Sequence, residues 1–113
     1  MQINKELVKG STGVLILSLL DRRAMYGYEM IKEIGQRSEQ VFSFKEGTLY
    51  PLLHSLETEG LIESYWEETE SPRKRKYYRI TDQGRKNLKD RQQEWAAFKS
   101  AVDRVLWEGI SWA

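Results

Sequence analysis

The side chains able to do chemistry here are basic, and they are gathered in one place. Residues 73–91 carry nine Lys or Arg (Arg73, Lys74, Arg75, Lys76, Arg79, Arg85, Lys86, Lys89, Arg91) against Asp82 and Asp90, a local charge of +7. Residues 1–72 stand at −5 and residues 92–113 at −1, so the whole chain is nearly neutral at +1. A positive block in a neutral chain marks a surface for an anion, with phosphate the leading candidate. The plain alternative is a solvated, charge-rich loop and helix start. Other chemistries lack their residues. The absence of cysteine excludes disulfides, thiolate metal sites and a cysteine nucleophile. His54 is the single histidine, which excludes a multi-histidine metal centre and argues against a catalytic triad. No nucleophile–base pair, Gly-rich phosphate loop or metal-ligand spacing occurs, so no enzyme, metal or cofactor is expected. Glu67, Glu68 and Glu70 look like an acidic cluster, but beside Arg73–Lys76 they read more simply as cross-hairpin charge partners.

These residues need elements to position them. The chain has 113 residues, 40% of them hydrophobic and 31% charged, which suits one ordinary globular domain. Its longest apolar run, Val14 to Leu20, is too short to span a bilayer, and Met1–Glu6 lacks a signal peptide's order. The expectation is a cytoplasmic protein.

Val14, Leu17 and Leu20, with Ile16 and Leu19 beside them, predict a first helix over Lys5–Leu20, locally weakened by Gly10 and Gly13. Tyr26-Gly27-Tyr28 opens a second helix with Met30, Ile31 and Ile34 inward, ending near Gly35–Ser38. Phe42 and Phe44 follow as core plugs. Ser43 and Glu46 have capping-box spacing. The third helix is the clearest. Leu49, Leu52, Leu53 and Leu56 form its stripe, and Gly60 sits where a C-cap glycine belongs. Pro51 is tolerable only near a helix start, which fixes the beginning close to Glu46–Thr48.

The period then changes from helical to alternating. Leu61–Glu67 and Lys76–Thr81 are strand candidates around a polar segment, and together they predict a hairpin. Trp66 is expected to pack on its face. Tyr26, Tyr50 and Tyr78 read as half-buried packing groups. Thr81 is placed to cap a last helix running from Asp82 to about Glu108. Along that helix Leu88, Trp95 and Val102 are seven apart, as are Phe98 and Val105, with Arg91 breaking the seam. A helix this long outruns a small domain, so it is expected to pair with its copy in a second chain. The homodimer seam would use Leu88, Trp95, Phe98, Val102, Val105 and Leu106, joined by the first helix. Trp107, Ile110 and Trp112 would cover the partner's first helix or their own core.

Three helices and a two-stranded ribbon predict a mainly α fold with a small β-hairpin. That is a winged helix-turn-helix DNA-binding domain over 1–81, a dimerisation helix over 82–108 packed on the partner's first helix, and a tail over 109–113. The third helix suits the major groove of double-stranded DNA, and the hairpin tip suits the neighbouring phosphates. With the leucines inward, Gly47, Pro51, His54 and Thr58 face outward, flanked by Thr48 and Ser55. Lys45, Thr48 and His54 are the expected base-edge or nearby backbone contacts. Tyr50 could touch a phosphate, and Arg73, Lys74, Arg75 and Lys76 would supply the electrostatics. The competing reading is a helical adaptor that binds protein without ligand sensing.

Tyr26-Gly27-Tyr28-Glu29, Gly47-Thr48-Leu49-Tyr50-Pro51-Leu52-Leu53, Leu56-Glu57 with Gly60-Leu61-Ile62, Ser64-Tyr65-Trp66 and Lys76–Thr81 with Gly84 resemble the PadR family of transcriptional regulators. The likeness runs from about residue 8 to residue 88 and is specific in combination. It implies a homodimeric repressor of the short subfamily with one C-terminal helix. Some short members bind flat aromatic or cationic molecules between paired tryptophans at the dimer interface. Trp95 falls at that position, and Val14, Ser18, Phe98 and Lys99 match further lining positions. Lys99 replaces an acidic residue of the multidrug-binding relatives. The resemblance thus implies a planar aromatic ligand, while Trp95 reads equally as a plain dimer-core anchor.

Overall fold

The computed structural model describes residues 3–70 and 73–108; Pro72, Ile110 and Trp112 lie outside them. The first helix is not continuous. Helix α1 spans Lys5–Lys9 and α2 spans Thr12–Arg22. Asn4 starts α1, its side-chain oxygen accepting from the Glu6 amide at 2.9 Å. Ser11 causes the break, since its hydroxyl and its amide both donate to the Val8 carbonyl, at 2.9 and 3.0 Å. A serine that takes a carbonyl this way competes with helix propagation, and Gly10 beside it is a poor helix former.

Strand β1 is a two-residue piece, Met25–Tyr26, that pairs antiparallel with the later strand β3. The expected hairpin is therefore a three-stranded sheet of order β1-β3-β2. Two residues are too few to show an alternating pattern in sequence. Helix α3 spans Gly27–Arg37, and the Glu29 carboxylate accepts from the Tyr26 amide at 3.3 Å, capping its start.

Helix α4 spans Glu46–Thr58 with Pro51 in its second turn. Its N-cap is Lys45, and no side chain caps it. The Ser43–Glu46 capping box does not form, because Ser43 lies two residues before the position that the box requires. The C-terminus is a full Schellman turn. Gly60 has φ +77°, its amide donates to the Glu57 carbonyl at 3.0 Å, and the Leu61 amide reaches Leu56 at 3.0 Å.

Strands β2 (Ile62–Glu68) and β3 (Lys74–Ile80) form the wing, with Ile62 opposite Ile80, Tyr65 opposite Tyr77 and Glu68 opposite Lys74. Thr81 then caps α5 (Asp82–Asp103). Its hydroxyl accepts from the Gly84 amide at 3.0 Å and donates to the Gly60 carbonyl at 2.7 Å, so one side chain joins the ends of α4 and α5. A π-helical turn, Arg104–Glu108, continues α5.

The core gathers Ile16, Leu17 and Leu20 of α2, Met30 and Ile34 of α3, Leu49, Leu53 and Leu56 of α4, and Ile62, Tyr78 and Ile80 of the sheet. Phe44 plugs it from the α3–α4 connection, stacked on half-buried Phe42 with centroids 6.4 Å apart. Leu88 of α5 belongs to the same core at 3% exposure. That corrects its expected place on a dimer seam, because the side chain is already covered by its own domain.

Candidate nucleic-acid interface

Helix α4 carries the face whose residue pattern points to DNA. Leu49, Leu53 and Leu56 are buried, while Gly47, Thr48, Pro51, His54, Ser55 and Thr58 are exposed, as is Lys45 at the helix start. Tyr50 sits as a partly exposed packing group. A Cβ on Gly27 would lie 2.7 Å from the Tyr50 hydroxyl, so this tyrosine braces α4 against the start of α3 through a gap only glycine leaves. Burial, then Glu46 and Tyr78, pushes its hydroxyl above the ordinary tyrosine range. Tyr78 is raised by burial first and by Glu57 second. Both hydroxyls therefore stay protonated near neutrality.

The acidic end of α4 is also occupied. Ser64 of β2 donates its hydroxyl to the Glu57 carboxylate at 2.6 Å. That bond ties the wing to α4.

Strand alternation divides the basic residues of the wing. Lys74 and Lys76 lie on the face of β3 that carries Tyr78 and Ile80, the face packed against the helices. Arg75 and Arg79 lie on the opposite face. There Arg79 pairs with Glu63 at 2.7 Å and covers the Tyr65 ring at 4.9 Å. Tyr65 stacks on Tyr77 at 5.8 Å, Tyr77 meets Tyr26 edge-on at 5.5 Å, and Arg75 covers Tyr26 at 4.5 Å. The four consecutive cations Arg73–Lys76 are thus not one patch. Lys74 and Lys76 face the α4 side, Arg75 is held in the outer aromatic row, and the Arg73 carbonyl takes the Thr69 hydroxyl at 2.7 Å. The register sets Glu67 opposite Arg75 and Glu68 opposite Lys74, with Glu70 in the loop beyond them. Trp66 does not pack on the hairpin. It is 64% exposed.

A second candidate site lies at the other end of the molecule. Past Leu88, α5 turns an apolar face outward: Trp95 is 51% exposed and Phe98 59%, with Val105, Leu106 and Trp107 exposed and Val102 half-buried. The Trp95 and Phe98 rings are 5.9 Å apart. With Leu7, Val14 and Ser18 they line a groove of about 840 Å³ between α5 and the first two helices. Lys99 does not line it and pairs instead with Asp103 of its own helix at 3.5 Å. Arg91 also finds its place: a Cβ on Gly13 would lie 2.7 Å from its guanidinium, so the seam-breaking cation packs where α2 is smallest. Among the described residues no group of His, Asp or Glu could hold a metal ion, and no helix is long and apolar enough to cross a membrane.

A helix with a small polar outer face, braced by α3 and flanked by a basic hairpin, defines a winged helix-turn-helix DNA-binding protein. Residues 16–90 match the PadR-like family of transcriptional regulators, and the chain belongs to that family. It is 36% identical to an uncharacterised protein of Lysinibacillus sphaericus over 96% of this chain and 98% of that one. Among solved structures it resembles a transcriptional regulator from Clostridium thermocellum (36% identity, 92% and 98% of the two chains, TM-score 0.85). It also resembles a PadR-like transcriptional regulator from Bacillus cereus (31% identity, 91% and 98%, TM-score 0.80). The family is one of regulators rather than enzymes, so the chain's activity is DNA-binding regulation of transcription.

Proposed function

We propose that the chain acts in the cytoplasm as a homodimeric repressor whose affinity for operator DNA is lowered by a small planar aromatic ligand. The observation that carries the dimer is the apolar face of α5 from Trp95 to Leu106, which leaves its own domain and continues without cover. A second copy of the same helix, with α1 and α2 of the partner, would bury it. A two-fold dimer reads two half-sites about one helical turn, or a multiple of it, apart. Within each half-site Lys45, Thr48 and His54 would meet base edges or the adjoining backbone, and Lys74 and Lys76 would meet phosphates.

The groove supports the ligand. Trp95 forms one wall, and its symmetry mate would form another, so a flat ring could stack between them; each aromatic pair contributes about 0.5–1.5 kcal/mol beyond area burial. A ligand that fits one helix separation better than another shifts the spacing of the two α4 helices, and hence DNA affinity. Lys99, engaged with Asp103, adds little preference for anionic ligands.

Gel shifts on a duplex selected from a random pool test the reading. The Lys74→Ala/Lys76→Ala pair should weaken binding to all sequences and flatten the log–log salt slope by about two units, near one for each phosphate that is no longer neutralised. An adaptor that binds protein instead would retain no duplex from the pool. For the ligand, tryptophan emission titrated with planar aromatics should be quenched in the wild type and not in Trp95→Ala; equal quenching in both removes the sensor from the proposal.

A further inference from the structure

The inner face of the wing carries a large side chain with no assigned task. Ile62, Ser64, Trp66 and Glu68 of β2 share this face with Ile80, Tyr78, Lys76 and Lys74 of β3. Ile62, Tyr78 and Ile80 are buried beneath the helices. Further along the strands the same face comes into the open, with Trp66, Glu68 and Lys74 exposed. Ser64 marks the boundary, because its 2.6 Å bond to Glu57 fixes the sheet to α4 at that level. Trp66 is the next residue on the face, about 7 Å further along the strand. It lies directly opposite Lys76 and is 64% exposed. Lys76 has no acid in the register position across from it and rests over the Tyr78 ring at 5.6 Å. An exposed tryptophan opposite an unpaired lysine, on the wing face that packs on the helices further back, adds little to the core.

We infer that Trp66 is a DNA-contact residue, its indole packing against the deoxyribose of the strand that borders the major groove and its Nε1–H donating to a phosphate oxygen. The inference rests on the DNA-reading face proposed above. Three features favour this occupant. The face is tied to α4 one strand repeat away, through Ser64 and Glu57. The cationic neighbour of Trp66, Lys76, which has no acid opposite it, attracts phosphate, while Lys74 faces Glu68. An indole combines an apolar plane with one donor, which matches a sugar beside a phosphate and can bridge them. The fixed bond between Ser64 and Glu57 keeps the ring at a set distance from α4, so Trp66 would also set how deeply the helix enters the groove.

A neutral contact has its own signature. Counterions are released by cations, so removing an indole should lower affinity and leave the salt slope unchanged. Trp66→Ala should weaken binding to a selected duplex and to an unrelated duplex of equal length by a similar factor, more than the roughly tenfold that losing a hydrogen bond to a charged group costs, because the ring contact goes too. Trp66→Phe, which keeps a ring and loses the donor, should fall between. Both variants should melt as the wild type does, since the side chain is exposed. In addition, the acrylamide-quenchable emission that Trp66→Phe removes should be protected when duplex is added to the wild type. Wild-type affinity in Trp66→Ala, or no protection of that emission, overturns the inference while Lys74→Ala/Lys76→Ala still weakens binding. If that lysine pair has no effect either, the underlying DNA-reading face is wrong.

Discussion

The two halves of α5 follow one sequence rule and meet opposite fates. In the first half, Gly84 and Leu88 are buried and Arg91 lies on Gly13. In the second half and the π-helical turn beyond it, Trp95 (one heptad from Leu88), Phe98, Val105 (one heptad from Phe98) and Leu106 face outward. Leu88 and Trp95 are one heptad apart on one stripe, yet Leu88 is 3% exposed and Trp95 51%. The difference is where the domain ends. A helical stripe says which residues share a direction, and the partner waiting in that direction decides their role. The first half stabilises the folded chain, and the second half leaves an apolar face uncovered by its own domain.

The largest effect that would sharpen this contrast is expected at Gly84. A Cβ there would run into the Leu61 carbonyl oxygen and lie 2.7 Å from Ile80. Neither backbone nor buried isoleucine can swing away, so Gly84→Ala should cost about 3 kcal/mol or more. Leu88→Ala follows, with a loss of about 2–4 kcal/mol from transfer and cavity. Urea unfolding measures both; wild-type stability in either would mean that α5 is not part of the core.

The outer half should respond in the reverse way. Phe98→Glu with Val105→Glu should change the far-ultraviolet spectrum little, because neither side chain contributes to the core. Sedimentation should nevertheless show the variant as a monomer at concentrations where the wild type is a dimer, since charges on an apolar seam lose their hydration without partners. A variant that remains dimeric would place the interface elsewhere.

The smallest effect concerns pH and belongs to the core domain that covers the first half, through Tyr50 of α4 and Tyr78 of β3. Tyr50 and Tyr78 both titrate above the ordinary tyrosine range, burial being the chief cause in each. A raised folded-state value means that the fold favours the protonated hydroxyl. This contribution is fully present below the unfolded value near 10 and is lost as pH rises through the higher folded values. Urea midpoints should therefore decline above pH ~10, and Tyr78→Phe should flatten that decline. Trp95→Ala, in the outer half, should leave it unchanged.

Much of this protein was legible in its residues. Pro51 and Gly60 bracketed α4 because each tolerates only one kind of helix position. The switch to alternating apolar residues announced the wing, and Thr81 announced α5. The motif set around Tyr26, Gly47–Leu53 and Lys76–Thr81 resembled the family to which residues 16–90 belong. These signals are local, set by backbone sterics, caps and periodicity, and so survive in a single chain of letters.

The remaining decisions were made in three dimensions. Strand β1 is two residues long and exists only because β3 offers it a partner. Arg75 and Lys76 are neighbours in sequence and lie on opposite faces of the wing. Tyr50 became a brace because Gly27 happens to pass beneath it. Trp66 is exposed on the same strand face on which Ile62 is buried. Sequence fixes directions along an element through its period, but what lies in each direction depends on elements far away in the chain. For that reason the order of helices and strands could be read from the residues alone, whereas the division of α5 and of the wing into buried and exposed faces could not.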